Sequence, residues 1–338
     1  MKIIDLRSDT VTLPTEAMKQ AMVNAKLGDD VYAEDPTVIE LQNKLANMTG
    51  FEAGLFMPTG TMTNQVALAT HAERGHEVIM PQKAHVYEYE IGSLSVLSGL
   101  IPRTVEAPLG MPSVEAIRAA IHHSIHQAPT GLISLENTHN TAGGTVIPLE
   151  LSQQISELAK EENLPLHLDG ARAFNAAVAQ NISIKEVCQP FDSVSICLSK
   201  GLAAPVGSVL LGSKEFIGKA HRYRKMFGGG MRQAGVIAAA GIVAIETMVD
   251  RLKDDHKTAK ALAVALNEID GISVNLDSVQ TNIVFFNIAN AAEFAEKMKA
   301  KGVLSNALTS DSIRLVSHYH ITDDDVTSTI KIIKELLA

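Results

Sequence analysis

The stretch that decides the reading is His167-Leu-Asp-Gly-Ala-Arg172, followed in the next apolar run by Leu198-Ser-Lys-Gly201. Leu164–Leu168 and Val194–Leu198 are short apolar runs of strand length, so Asp169 and Lys200 both fall at the carboxyl ends of buried strands. Ligands collect at that edge of an open α/β sheet. Working outward, Glu77–Met80, Leu132–Leu135 and Ser208–Leu211 read as further buried strands, and helical patterns lie between them. Ser113 caps one helix with the face Val114, Ile117 and Ile121, and a second shows Leu151, Ile155 and Leu158. From about Phe51 to Leu211 the rhythm predicts a mainly parallel sheet between two helical layers, a three-layer α/β sandwich.

After Glu246 the alternation weakens. Ile283–Phe286 and Ile313–Val316 read as strands, a helix ends near Gly302, and Thr322 with Asp325 forms a capping box for a last helix. The organisation expected is an N-terminal arm over residues 1–30, a large domain over 31–245 and a smaller α+β domain over 246–338.

The chain has 338 residues, 46% of them apolar, a mean hydropathy of +0.10 and a net charge of −9. That is enough for a sizeable core in two domains. The acidic balance argues against a nucleic-acid partner, and 4% aromatics with no Trp leave little for base stacking. Cys188 and Cys197 are too few for a disulfide framework and fit a reducing compartment. Lys2, Asp5, Arg7 and Asp9 rule out a signal peptide, and Ala234–Ile245, the longest apolar run, is too short to span a bilayer. It reads as a buried helix or a subunit contact. A soluble cytoplasmic protein with no membrane partner is expected.

Pro58-Thr-Gly-Thr61 precedes a helical stretch, Met62 to Arg74, that Gly75 closes. A glycine flanked by hydroxyls at a helix start suits a phosphate. With Asp169 able to hold a proton on a pyridine nitrogen, and Lys200 able to carry a Schiff base, the set points to pyridoxal 5'-phosphate. Rival motifs fail. In Gly207-Ser-Val-Leu-Leu-Gly-Ser-Lys214 the lysine is displaced from its P-loop position, and no Gly-x-Gly-x-x-Gly follows a strand. Gly228-Gly-Gly230 reads as a flexible turn. His122, His123 and His126 lack a neighbouring carboxylate or cysteine, so no metal is expected.

With these residues in view the chain resembles the low-specificity L-threonine aldolases, of the fold-type-I, aspartate-aminotransferase-like superfamily. The resemblance runs over essentially the full length. It rests on Asp5-Leu-Arg-Ser-Asp-Thr-Val-Thr12, Gly28-Asp-Asp-Val-Tyr32, Pro58-Thr-Gly-Thr61, Leu135-Glu-Asn-Thr-His139, His167-Leu-Asp-Gly-Ala-Arg172, Leu198-Ser-Lys-Gly201, Pro205-Val-Gly-Ser208, Gly228-Gly-Gly-Met-Arg-Gln233 and Arg314-Leu-Val-Ser-His318. Ala33 and Ile91-Gly92-Ser93 depart from the usual pattern without touching a catalytic group.

The resemblance implies that Lys200 carries pyridoxal phosphate, Asp169 pairs with its pyridine nitrogen, Gly60 and Thr61 hold its phosphate and His85 stacks on its ring. It implies that Ser8, Arg172 and Arg314 bind the substrate carboxylate, with Arg172 also near the cofactor. His126 is then expected near the substrate hydroxyl, and Tyr32 close by. Lys225 and Arg232 are expected to reach a neighbouring subunit's phosphate, which requires a homodimer at least, with tetramers usual. The implied reaction is retro-aldol cleavage of L-threonine or L-allo-threonine, and of related β-hydroxy-α-amino acids, to glycine and an aldehyde. His85, His126 and a bound water stand as alternatives for the base. The competing reading is another pyridoxal-phosphate lyase, a phenylserine aldolase or a β-eliminating enzyme.

Overall fold

The computed structural model describes residues 2–337. A seven-stranded sheet forms the centre, in the spatial order Ala53–Met57, Ser208–Gly212, Ser193–Cys197, Leu166–Asp169, Thr130–Glu136, Glu77–Pro81 and Ile101–Val105. Every neighbouring pair is parallel except the two made by Ser208–Gly212, which runs against the rest. The inner strands are buried on both faces, so even the polar residues that interrupt their apolar runs, His167, Ser193 and Ser195, are buried, and His167 Nδ1 lies 2.8 Å from Ser193 Oγ.

Two of these strands, one at each edge, are not among those expected from the sequence. Ile101–Val105 sits at the edge with Ile101 exposed, so it carries Pro102 and Arg103 without a buried face to reveal it. Ala53–Met57 is the opposite edge strand, and its first two residues, Ala53 and Gly54, are only half-buried. The helix after the Pro58-Thr-Gly-Thr61 motif spans Gly60–His71 and stops before Gly75, whose φ of +89° belongs to the following turn.

The core of the sheet and its helices is separate from a second core built on Leu262, Leu266, Phe286, Met298 and Leu315. This second unit has a three-stranded antiparallel sheet, Asn306–Ala307, Ser312–Val316 and Ile283–Asn287, covered by the helices Leu252–Asn267, Ala291–Ala300 and Asp323–Leu337. The Thr322 and Asp325 caps are reciprocal: Asp325 N donates to Thr322 Oγ1 at 3.3 Å, and Thr322 N donates to Asp325 Oδ2 at 3.0 Å.

The N-terminal segment, expected as an arm without rhythm, is divided between the two cores. Ile4–Asp5 pairs in parallel with Val303–Leu304, and Leu6 is fully buried in the second core. Glu16–Val23, capped by Thr15, lies against Gly235–Thr247 on the first. Helix Gly235–Thr247 holds most of the Ala/Gly-rich run and is a buried element: a Cβ at Gly241 would meet Leu198 at 2.8 Å and Leu41 at 3.1 Å. No helix among the described residues is long and apolar enough to cross a membrane.

Candidate active site

The parallel strands deliver Asp169, Cys197 and, just beyond Cys197, Ser199 and Lys200 to one edge of the sheet. Here they line a cleft of about 410 Å³ with Gly60, Thr61, Asn64 and His85. Asp169 can leave its strand there because the next residue is glycine; a Cβ at Gly170 would stand 2.9 Å from Ser195 O. The Asp169 carboxylate is buried, with Oδ1 accepting from Ala171 N at 3.1 Å and Oδ2 from Asn64 Nδ2 at 2.8 Å.

Asn64 is one turn into the helix that begins at Gly60, so the helix that starts the cleft also braces the acid. At that start Thr59 Oγ1 accepts from Met62 N at 3.1 Å. The cap leaves the amides of Gly60 and Thr61 at the positive end of the helix, where an anion is favoured. Gly60 is required for the close approach: a Cβ there would stand 2.5 Å from Cys197 Sγ.

His85 opens the helix His85–Glu88, with its N–H donating to Glu136 Oε2 at 2.7 Å. Its Nδ1 lies 3.0 Å from Oε1 of the buried Glu90. Burial opposes charge on the imidazole, but the bond to Glu90, helped by the nearby Asp169 and Glu136, overcomes that and holds its pKa above the ordinary histidine value. Tyr89 stacks on the same ring, with centroids 5.7 Å apart.

A second cluster adjoins the cleft through Arg172, beside the lining residue Ala171. Arg172 was expected to offer its fork to a substrate carboxylate. Within the chain that fork is taken: Nε and Nη2 donate to Asp9 at 2.8 and 2.7 Å, and Nη1 reaches Asn140 Oδ1 at 3.4 Å. Burial alone would raise the Asp9 carboxyl, but the Arg172 guanidinium prevails and holds it well below the usual carboxylate range.

Arg314, on the strand Ser312–Val316, is different. Its Nη1 donates to Asn140 Oδ1 at 3.1 Å and its Nη2 to Arg7 O at 3.2 Å, while its buried Nε has no partner. Among the described residues it makes no ion pair. The Ser8 hydroxyl caps the short turn Asp9–Val11, accepting from Thr10 N at 3.2 Å.

Four further expected site residues belong neither to the lining of their own chain's cleft nor to the adjoining arginine cluster. His126 is exposed and precedes the strand Thr130–Glu136. It therefore lies at the amino edge of the sheet, and that strand covers roughly 20 Å at about 3.3 Å per residue before reaching the site edge. Tyr32, Lys225 and Arg232 are exposed together on another face. There Arg232 Nη1 pairs with Asp29 at 3.1 Å, and a Cβ at Gly230 would lie near both Lys225 and Val31.

Sequence reasoning missed Asn64, Glu90, Asp9, Asn140 and Ser199. Asp9 and Asn140 lie in or beside quoted motifs, but their partners are far along the chain. Glu90 carries no local signature at all.

Residues 5–289 match the model of the beta-eliminating lyase family. The low-specificity L-threonine aldolase of Escherichia coli K12 is 47% identical over 328 residues, covering 96% of each chain. A probable low-specificity L-threonine aldolase of Arabidopsis thaliana is 46% identical over 336 residues, covering 96% of this chain and 95% of the relative. The chain belongs to the beta-eliminating lyase family, among the low-specificity L-threonine aldolases.

The solved threonine aldolase of Leishmania major superposes with a TM-score of 0.85 at 21% identity, covering 99% of this chain and all of that one. At that identity the likeness speaks for the fold alone. Members of the family depend on pyridoxal phosphate, and the cleft fits that group. Gly60 leaves the room a phosphate needs at the helix start, Asp169 presents a buried carboxylate for the ring nitrogen, and Lys200 supplies the amine.

Proposed function

We propose that this protein cleaves L-threonine and L-allo-threonine to glycine and acetaldehyde, and accepts other β-hydroxy-α-amino acids. The observation that carries the reading is Arg314, a half-buried guanidinium with its Nε fully buried and no carboxylate partner, set beside the Lys200–Asp169 cleft through Asn140 and Arg172. A buried cation of this kind calls for an anion, and an amino-acid carboxylate supplies one. With Arg172 occupied by Asp9, Arg314 makes the charged contact. Asn140 Oδ1 accepts from both arginines and orients them. A carboxylate held so firmly is not the leaving group, which disfavours decarboxylation.

Bound pyridoxal phosphate supplies the electron sink for the pair released when the Cα–Cβ bond breaks. Lys200 would hold it through its amine and Asp169 through its buried carboxylate, and the amides of Gly60 and Thr61 would receive its phosphate. His85 is the imidazole at the cleft. Glu90 occupies its Nδ1, so Nε2 takes the proton of the substrate's β-hydroxyl. Such a positioned base contributes about 10²–10⁴ in rate.

Tyr32, His126, Lys225 and Arg232 then serve a neighbouring subunit's site, in a homodimer at least and as a tetramer in the cell. The two cysteines are free and buried, in keeping with work in the cytoplasm, where the reaction makes glycine.

The test is product analysis on the four threonine stereoisomers. Free glycine and acetaldehyde from the L forms, lost in Lys200→Ala, is the expected result. Ammonia with a keto acid, or activity confined to D isomers, overturns the proposal.

A further inference from the structure

We propose that Glu90 and Asn64 are positioning residues: Glu90 fixes which nitrogen of His85 carries the proton, and Asn64 holds Glu90 and Asp169 as acceptors. The inference deepens the aldolase reading and rests on it for the role of His85.

The geometry is a closed accounting of donors and acceptors. Asn64 Nδ2 has two hydrogens and directs one to Glu90 Oε1 at 2.8 Å and one to Asp169 Oδ2 at 2.8 Å. Its Oδ1 accepts from Ser195 Oγ at 2.6 Å. Turning the amide over would set its oxygen against two carboxylates, so the network admits one orientation. Glu90, 3% exposed, then accepts three times: from Asn64 and His85 Nδ1 at Oε1, and from Gln65 Nε2 at Oε2, 2.7 Å away.

None of these partners is a lysine or arginine, so His85 is the cation source that directly meets this buried carboxylate. Since Oε1 only accepts, Nδ1 must donate, and neutral His85 keeps its lone pair at Nε2. The other charged groups acting on the ring are Asp169, Glu136 and Lys200, with Tyr89 stacked on it. Asn64 thus couples the acid that faces the cofactor nitrogen to the acid that orients the base.

Glu90→Gln tests this with little change of shape. Gln65 Oε1 is buried without a partner, so Gln65 can flip and accept from the new amide, while the carbonyl oxygen introduced at position 90 keeps both donors that Oε1 has now. The readout is histidine ¹⁵N NMR on cofactor-free protein. In the unaltered protein, neutral His85 is expected as the Nδ1–H tautomer. In Glu90→Gln its titration midpoint is expected about one pH unit lower or more, the effect of losing an opposite charge in contact. In the loaded enzyme the acid limb of kcat/KM is expected to move down by the same amount.

Asn64→Leu, of similar shape without donors, is expected to weaken pyridoxal phosphate binding by roughly tenfold. An Nε2–H tautomer in the unaltered protein, or an unmoved midpoint in Glu90→Gln, overturns the role of Glu90. Unchanged cofactor affinity in Asn64→Leu overturns that of Asn64. The NMR and cofactor-affinity readings need no substrate, so a failed product assay would leave them standing, and the converse holds.

Discussion

Replacing Gly60 by alanine tests the proposed phosphate cradle at the start of helix Gly60–His71 directly. The new Cβ would stand 2.5 Å from Cys197 Sγ, roughly 1 Å or more inside the optimal separation of about 3.5–4.0 Å for carbon contacts. Cys197 cannot retreat easily, because it closes a strand buried along its whole length. Overpacking of this kind costs about 1–3 kcal/mol, and displacing the helix start takes the Gly60 and Thr61 amides away from the anion. Gly60→Ala is therefore expected to bind pyridoxal phosphate about 5- to 150-fold more weakly, and to unfold at lower urea in its cofactor-free form. Removing the sulfur relieves the clash, so in Gly60→Ala/Cys197→Ala the two effects are expected to be non-additive, with a coupling of about 1–3 kcal/mol. Urea unfolding and absorbance titration with the cofactor, on all four proteins of the cycle, give the numbers. Additive losses, or a Gly60→Ala protein that binds and unfolds like the parent, would refute the reasoning.

Other expectations follow from the same site and its surroundings. Asp9→Asn leaves Arg172 buried without its counter-charge and should destabilise the protein by about 3–5 kcal/mol in urea unfolding. Arg314→Leu should lower kcat/KM for threonine at least about thirtyfold; against threonine amide, which lacks the carboxylate, the parent and the variant should differ little. Burial holds His71 and His167 down to about 3 and about 4, against an ordinary 6.5. The unfolded chain therefore binds protons below pH 6.5 that the folded one refuses, and stability is lost as pH falls from 6.5 toward 4. The slope is about 1.4 kcal/mol per pH unit for each group, and a urea midpoint that stays level from about pH 7 to about 4.5 would contradict it.

Much of the site was legible because its chemistry is tied to strand ends. Asp169 and Lys200 follow the short, mainly apolar runs Leu164–Leu168 and Val194–Leu198, whose length and composition mark strands although His167 and Ser195 interrupt them. Gly60 was legible for a similar reason, standing at a helix start behind a capping threonine. The edge strand Ile101–Val105 was not, since Pro102, Arg103 and Thr104 break any apolar pattern, while Ala53–Met57 is wholly apolar and was overlooked.

By itself the amino-acid order determined the alternating α/β architecture, the acid and lysine that share one cleft, and the presence of a second, smaller core. Only the tertiary structure decided that Asp9 occupies the Arg172 fork, that Arg314 has no acidic partner among the described residues, and that His126 lies at the far edge of the sheet from its own cleft. It likewise joined Asn64, Glu90 and His85 into one network. The reason is physical: periodicity and capping are local, whereas the pairing of a buried charge depends on which distant residues the fold brings within about 3 Å of it.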